Sequence, residues 1–131
     1  MATQTRFPLL AAGTFGATGV ALGAFGAHGL QATLAEHGTM QAWESAARYQ
    51  LVHAVALLGV AAWLRAGGGA GTVRLLWAAR CWSAGIVLFS GSLYVYAAGG
   101  PHFMVYLTPV GGVTFMIGWL LTIAATLVQE K

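Results

Sequence analysis

Residues 13–30 read GTFGATGVALGAFGAHGL, and this stretch decides which class of fold the chain adopts. It contains no Asp, Glu, Lys or Arg, and its glycines at 13, 16, 19, 23, 26 and 29 recur at spacings of three and four. Such spacings place the glycines along one stripe of a helix. In water, each glycine would weaken that helix by about 1 kcal/mol relative to alanine. In a bilayer the helix is enforced, because no backbone group can stay unpaired in hydrocarbon. The stretch therefore predicts a transmembrane helix that packs closely through Gly19, Gly23 and Gly26.

The composition extends this interpretation to the whole chain. Of 131 residues, 58% are hydrophobic and only 7% are charged, which is too little charge for the surface of a soluble domain. We therefore predict an all-α, polytopic membrane protein, a single domain over residues 1–131, whose certain partner is the lipid bilayer. The six Lys and Arg residues form no basic cluster, so nucleic acid is not expected as a partner.

Apolar segments separated by glycine, proline and charged residues predict four transmembrane helices at about 7–29, 39–65, 72–98 and 108–128. The first segment is longer than the core of a signal peptide, so we interpret it as a span. The fourth helix has two possible starts. Thr108 as cap with Pro109 at the first helical position is favoured, and a longer helix from Phe103, kinked at Pro109, is the alternative. Between the first two helices, the sequence predicts one short surface turn that ends at Gly38.

The positive residues indicate an orientation. Most of them flank one end of the predicted bundle, at Arg6, Arg65, Arg74, Arg80 and Lys131. The links 30–38 and 99–107, at the other end, contain no Lys or Arg. Cytoplasmic flanks carry the excess of Lys and Arg, and four spans return the chain to its starting side. The sequence therefore predicts a four-transmembrane-helix bundle with its N- and C-termini in the cytoplasm.

Polar residues at membrane depth concentrate in the non-cytoplasmic half of this bundle. Glu44 and Arg48 are separated by four residues, in the order that favours an ion pair along a helix. An ionisable group that faces lipid costs about 2.5–3.5 kcal/mol near the midplane, so Arg48 and His53 are expected to face the bundle. These observations predict a cluster of eight residues, His28, Glu44, Arg48, Tyr49, Gln50, His53, Ser90 and Ser92.

Two interpretations of this cluster stay open on the sequence alone. Ser, Tyr and Gln side chains commonly form interhelical hydrogen bonds that fix the register of membrane helices. The same residues could form a polar site for a proton, an ion or a small ligand.

The residues do not supply a recognisable catalytic or cofactor site. Cys81, the single cysteine, cannot form a disulfide within the chain or a zinc site by itself. Histidines in a four-helix bundle would suggest haem, but His28 and His53 are predicted at different depths, and His37 and His102 fall in links. No nucleophile, base and orienting group occur together. We therefore expect no enzymatic activity, no metal and no cofactor.

Four patterns occur in order between residues 19 and 119, namely GVALGAFGAHGL, W-E-x-A-x-R-Y-Q-x-x-H-A, LFSGSLY and TPVGG-x-x-F-x-x-GW. Together they resemble the DUF423 family of YgdD-like inner-membrane proteins. The resemblance implies a small four-helix protein of the bacterial inner (plasma) membrane, and it implies no mechanism, because the family is named for unknown function. The recurrent residues of the family correspond here to His28, Glu44, Arg48, Tyr49, Gln50, His53, Ser90, Ser92 and Pro109.

Two function hypotheses follow. The first is a structural or assembly protein that packs as a homo-oligomer or in a larger membrane complex, on account of the glycine-striped helix and the small mass outside the bilayer. The second is a conductor of a small solute, lipid or proton through the polar half of the bundle. The apolar cytoplasmic halves of the second and fourth helices argue against a continuous path for the second hypothesis.

Overall fold

The computed structural model describes residues 2–128, with side chains described from Gln4 on, and this part of the chain is helical and contains no strand. Its α-helices are α1 (Ala2–Ala27), α2 (Gln31–His37), α3 (Met40–Arg65), α4 (Thr72–Gly85), α5 (Gly91–Ala97) and α6 (Leu107–Ala125). A π-helical segment, Ile86–Ser90, joins α4 to α5, and a 3-10 segment, His102–Tyr106, leads into α6.

Four continuous helical runs are long and apolar enough to cross a membrane, and these are Gln4–Ala27, Met40–Arg65, Thr72–Ala97 and His102–Ala125. The prediction of an all-α protein with four membrane-spanning helices is confirmed. The helix α1 packs along α3, and α4 packs along α6. The helix α3 also contacts α4, the π segment and α5, so it lies between α1 and the third span.

The bundle has two distinct ends. At the α2 end, α1 stops, α3 begins, α5 stops and α6 begins. At the glycine-linker end, residues 66–71 join α3 to α4. The larger apolar core lies towards the glycine-linker end and includes Leu57, Val60, Leu64, Leu75, Ala78, Trp82 and Phe115. A smaller apolar cluster of Leu34, Trp43 and Ala97 closes the α2 end, and the buried polar residues Gln50, His53, Ser90 and Ser92 lie between the two clusters.

The glycines of α1 allow close contact with α3. A Cβ atom at Gly19 would lie 2.8 Å from the Leu51 side chain, and one at Gly26 would overlap the indole of Trp43. Gly23 also lies beside α3, since its Cβ would be 4.0 Å from that of Ala47. The structure thus places all three predicted packing glycines against a helix of the same chain.

The α2 end is closed by a short helix and a capping hydrogen bond. Leu34 of α2 is fully buried, and Gly38 ends the helix with a φ of 66°. Only glycine adopts this left-handed conformation without strain. The hydroxyl of Thr39 then donates to the carbonyl of Ala97 over 2.7 Å, which gives a partner to one of the last carbonyls of α5. The predicted surface turn is therefore a seven-residue helix that helps to close the bundle.

The fourth span differs from the favoured prediction. Helical structure begins at His102 rather than at Thr108, and Pro109 lies in the first turn of α6, where its missing N–H is tolerated. The helix ends at Ala125 rather than near 128. The π segment in the third span was not predicted, and Lys131 lies outside the described residues.

The contact between Gly111 and the π segment generates a test of the fold. A Cβ at Gly111 would overlap the backbone nitrogen of Phe89, which cannot move aside as a side chain could. We expect Gly111→Ala to lower the free energy of unfolding in mixed micelles by about 1–3 kcal/mol, the usual cost of overpacking. Gly112→Ala is the matched control, because its Cβ would lie 3.9 Å from the Phe89 ring, an ordinary contact. Equal stability of the two variants would contradict the α6 packing described above.

Candidate functional site

The amide of Gln50 is the centre of a hydrogen-bond network that joins three helices. The side chain is 3% exposed and lies on the inner face of α3. Its Nε2 donates to the carbonyl of Phe15 over 3.0 Å and to the hydroxyl of Thr18 over 2.8 Å, both in α1. Its Oε1 accepts from the hydroxyl of Tyr94 in α5 over 2.8 Å. Both amide hydrogens and the carbonyl oxygen therefore have partners.

Further hydrogen bonds extend this network towards the α2 end. The indole of Trp43 donates to the carbonyl of Leu22 over 2.8 Å, and its ring meets that of Tyr94 edge-on at 4.7 Å. The Trp43 side chain therefore contacts both α1 and α5, as Gln50 does.

Two buried serines connect the third span to its neighbours. Ser90 in the π segment donates to the carbonyl of Ala46 in α3 over 2.7 Å. The hydroxyl of Ser92 lies 2.8 Å from that of Thr108 in α6 and also donates to the carbonyl of Phe89. These contacts join the third span to α3 on one side and to α6 on the other.

His53 is the centre of a second network, one helical turn further from the α2 end. It is 3% exposed, its Nδ1 lies 2.7 Å from the carbonyl oxygen of Tyr49, and its Nε2 lies 3.1 Å from the indole nitrogen of Trp119. A carbonyl only accepts and an indole N–H only donates, so these partners assign the hydrogen to Nδ1 and leave Nε2 as the acceptor. The imidazole is therefore neutral, with both nitrogens hydrogen-bonded.

Aromatic rings enclose the imidazole of His53. The ring of Phe115 stacks on it at a centroid distance of 3.7 Å, with an angle of 10° between the planes. Trp119 lies 5.8 Å away, and Trp82 packs against Trp119 at 4.6 Å. This arrangement holds the ring orientation and gives the imidazole no contact with an acidic or basic side chain among the described residues.

Three residues of the predicted cluster lie elsewhere, since Glu44, Arg48 and His28 are exposed. The structure buries Gln50, His53, Ser90 and Ser92. Tyr49 is 44% exposed, but its carbonyl is the partner of His53 and its ring lies against those of Phe89 and Phe115. No ion pair joins Glu44 to Arg48 within the described part of the chain, which corrects the expectation of a contact between them. Both residues are exposed because the inner face of α3 is taken by residues such as Trp43, Ala46 and Gln50. Positions 44 and 48 then fall on the opposite side of the helix.

Comparison with known proteins shows the family to which the chain belongs. The family described as "Protein of unknown function (DUF423)" matches residues 22–112, more than half of the chain. The chain belongs to the DUF423 family. It is 42% identical over 109 residues to a UPF0382 membrane protein of Staphylococcus aureus, covering 82% of this chain and 84% of that protein.

Two further relatives come from other bacteria. The chain is 40% identical over 106 residues to the UPF0382 membrane protein YwdK of Bacillus subtilis, covering 81% of this chain and 84% of the relative. It is 38% identical over 125 residues to the UPF0382 inner membrane protein YgdD of Escherichia coli, covering 94% of this chain and 91% of that protein. No solved structure matches the chain. With four apolar helices of spanning length, this DUF423 protein is a multi-pass protein of the bacterial inner membrane.

Sequence reasoning missed the fourth span's contribution to the buried networks. Phe115 and Trp119, which contact His53, were not among the predicted residues. They are separated by four residues in the pattern F-x-x-GW, so they lie on one face of α6. That spacing could have suggested a shared partner. The hydroxyl of Thr18 in α1, which accepts from Gln50, was missed because it follows no motif.

An apolar groove is a separate feature of this DUF423 chain. It has a volume of about 370 Å³ and lies between α3 and α6, over α4, lined by residues that include Gly59, Trp63, Trp82 and Trp119. Thr122 and Thr126 also line it, but their hydroxyls donate to carbonyls of their own helix. The groove therefore presents hydrocarbon and aromatic surface, which suits a lipid chain and offers no reactive group.

The indole nitrogen of Trp82 is buried without a hydrogen-bond partner and lies against Gly118.

Chemically, the two networks can fix the depth and rotation of helices relative to one another. A double-mutant cycle between Gln50 and Tyr94 measures this role. We expect Gln50→Leu and Tyr94→Phe each to destabilise the protein, with a coupling of about 0.6 and at most about 1.7 kcal/mol, the range measured for interhelical bonds in lipid.

The matched control for this cycle is Gln50→Leu combined with Ser92→Ala, because Ser92 bonds to Thr108 and not to Gln50. The effects of that pair should add within about 0.5 kcal/mol in the same unfolding assay. If the effects of Gln50→Leu and Tyr94→Phe also add, the hydrogen bond between these two residues contributes nothing to the free energy of unfolding.

Proposed function

We propose that this DUF423 protein is a non-enzymatic integral membrane protein that acts by packing against other proteins within the bilayer, either as a homo-oligomer or as a part of a larger membrane complex. The proposal depends on the observation that the buried polar side chains find their hydrogen-bond partners inside the chain. Gln50, His53, Ser90 and Ser92 all hydrogen-bond within the chain. Such closed networks support a structural role for the cluster.

The distribution of mass supports the same proposal. The links between the spans are short, at residues 28–39, 66–71 and 98–101, and the first contains the small helix α2. The described chain therefore offers most of its surface inside the membrane. Interactions with other proteins would have to form through the outward faces of the spanning helices.

Conduction of a solute or proton is less well supported. A proton relay needs groups that can exchange partners along a path across the bilayer. The interior between the buried histidine and the glycine-linker end is apolar, with residues such as Leu57, Val60 and Leu75. His53 itself would have to give up the Trp119 hydrogen bond in order to accept a proton.

The proposal of assembly has a direct test. We expect the protein, extracted from native membranes into lipid nanodiscs and examined by native mass spectrometry, to show one dominant species heavier than the monomer. This species should persist when the nanodiscs are prepared with excess lipid. Under that condition, proteins that do not bind one another are captured in separate nanodiscs. A uniform monomer under both conditions, without any co-purified protein, would contradict the proposal.

We also propose that both termini are cytoplasmic. Arg6, Arg65 and Arg74 lie at the glycine-linker end, whereas the links at the α2 end contain no Lys or Arg. Green fluorescent protein fused after Lys131 should fluoresce, and alkaline phosphatase at the same position should be inactive. The control fusion in the link 98–101 should behave in the opposite way. Active phosphatase after Lys131 would reverse the orientation.

A further inference from the structure

One face of α3 is left uncovered by the rest of the chain. It comprises Gln41, Glu44, Arg48, Val52, Val55, Gly59 and Ala62, all exposed and spaced by three or four residues. We call this stripe the α3 outer face. Val52 is 52% and Val55 69% exposed, and a Cβ at Gly59 would meet nothing within 4 Å. The stripe extends over most of the length of the span, on a single side of the helix.

Arg48 makes this face unusual for a surface in contact with lipid. It lies eight residues after Met40, the first residue of α3, which places it about 12 Å along the helix axis from that end. Ionisable side chains at such depths are rare, and they ordinarily face other protein groups. Glu44, on the same face, makes no ion pair with Arg48 within the described chain. Both charges are therefore available to pair with a group outside the chain.

The other arginines of the spans differ in this respect. The guanidinium of Arg80, also eight residues into its helix, lies over the Trp77 ring at 4.7 Å. Arg74 donates to the carbonyl of Ala124 at the end of α6. Arg6 and Arg65 are near helix ends, where headgroups are accessible. Among the described arginines, Arg48 alone is both deep in a span and without such a contact.

The α3 outer face is complementary to a second copy of itself. Two copies in one membrane share an orientation, so a twofold axis between them runs along the membrane normal and equal residues lie at equal depth. Glu44 lies one turn, about 6 Å, closer to the α2 end than Arg48. An arginine side chain extends over that distance towards the membrane surface. Arg48 of each copy can therefore pair with Glu44 of the other, which forms two equivalent ion pairs.

The rest of the stripe fits the same arrangement. Val52 and Val55 provide apolar contact in the middle of the membrane, and Gly59 and Ala62 let the backbones approach near the glycine-linker end. The outward faces of α1 and α6 offer no such charges at depth, because residues 7–27 and 102–125 contain no Asp, Glu, Lys or Arg. Lipid chains alone are a suitable environment for those two faces.

We infer that the α3 outer face is the interface of a homodimer, held by reciprocal Glu44–Arg48 ion pairs between the two copies. The inference rests on the proposed function, since it specifies the partner as a second copy and the surface as α3.

Cysteine cross-linking locates the interface. In a Cys81→Ala background, Val52→Cys should form a disulfide-linked dimer in membranes on mild oxidation, because a disulfide requires Cα atoms within about 7 Å. Val20→Cys on α1 is the matched control. It is 63% exposed, and the contact between Gly19 and Leu51 puts it at nearly the same depth as Val52. If Val20→Cys forms the cross-linked dimer and Val52→Cys does not, the α3 interface is overturned, but the proposal that the protein assembles is retained.

Charge exchange tests the ion pairs. Glu44→Arg and Arg48→Glu each place like charges opposite one another, and each should weaken dimerisation in nanodiscs about tenfold or more. The double variant Glu44→Arg with Arg48→Glu restores two opposite-charge pairs and should recover the dimer. Both positions are exposed, so the monomer should keep its unfolding temperature.

Three results would overturn this inference. If Arg48 instead binds a phospholipid phosphate, the double variant fails to recover any dimer and Val52→Cys gives no cross-link. Dimers whose stability is unchanged by every charge variant overturn the reciprocal ion pairs while the proposed function stands. A uniform monomer of the wild-type protein by native mass spectrometry overturns the proposed function together with the inference.

Discussion

The Gln50 amide shows the constraint on which the bundle depends, which is that a polar group in hydrocarbon must find its partner inside the protein. Its three hydrogen bonds reach α1 and α5 from α3 at a single depth. A shift of either neighbour by one turn would leave an amide or hydroxyl unpaired, and such a group costs more than a formed bond contributes. These bonds therefore specify the register of the helices, while packing of small residues supplies the contact area.

Much of the fold could be predicted because its causes are local in sequence. Apolar length and composition determine where the chain spans the membrane, and Gly38 and the 67–69 glycines mark the links. The α-helix of the fourth span begins at Leu107, one residue before the predicted Thr108, but the 3-10 segment before it was missed, because the signal of Thr108 and Pro109 is also compatible with a first turn preceded by 3-10 structure. The π segment contacts α3 through Ser90 and α6 at Gly111, and no local sequence pattern predicts these contacts.

The candidate site was harder to predict, because its contacts depend on helix rotation. The cost of a charge in lipid led to the expectation that Arg48 faces the bundle, and the structure instead leaves it exposed on the outer side of α3. The neutral side chains of Gln50 and His53 take the inner positions of α3, and the partner of His53 comes from α6, whose rotation the sequence does not specify. The glycine spacing indicated a packing surface without naming the helix against it, and α3 of the same chain lies there.

The motif W-E-x-A-x-R-Y-Q-x-x-H thus contains two interleaved sets of residues on opposite sides of one helix. The neutral set, Trp43, Gln50 and His53, is buried and fully hydrogen-bonded within the chain. The charged set, Glu44 and Arg48, is exposed. Burying an amide or imidazole with partners costs little, whereas burying an ion pair requires near-ideal geometry. An isolated bundle is therefore more stable with the neutral set inside, and the charged set remains on the face where contact with another molecule can form.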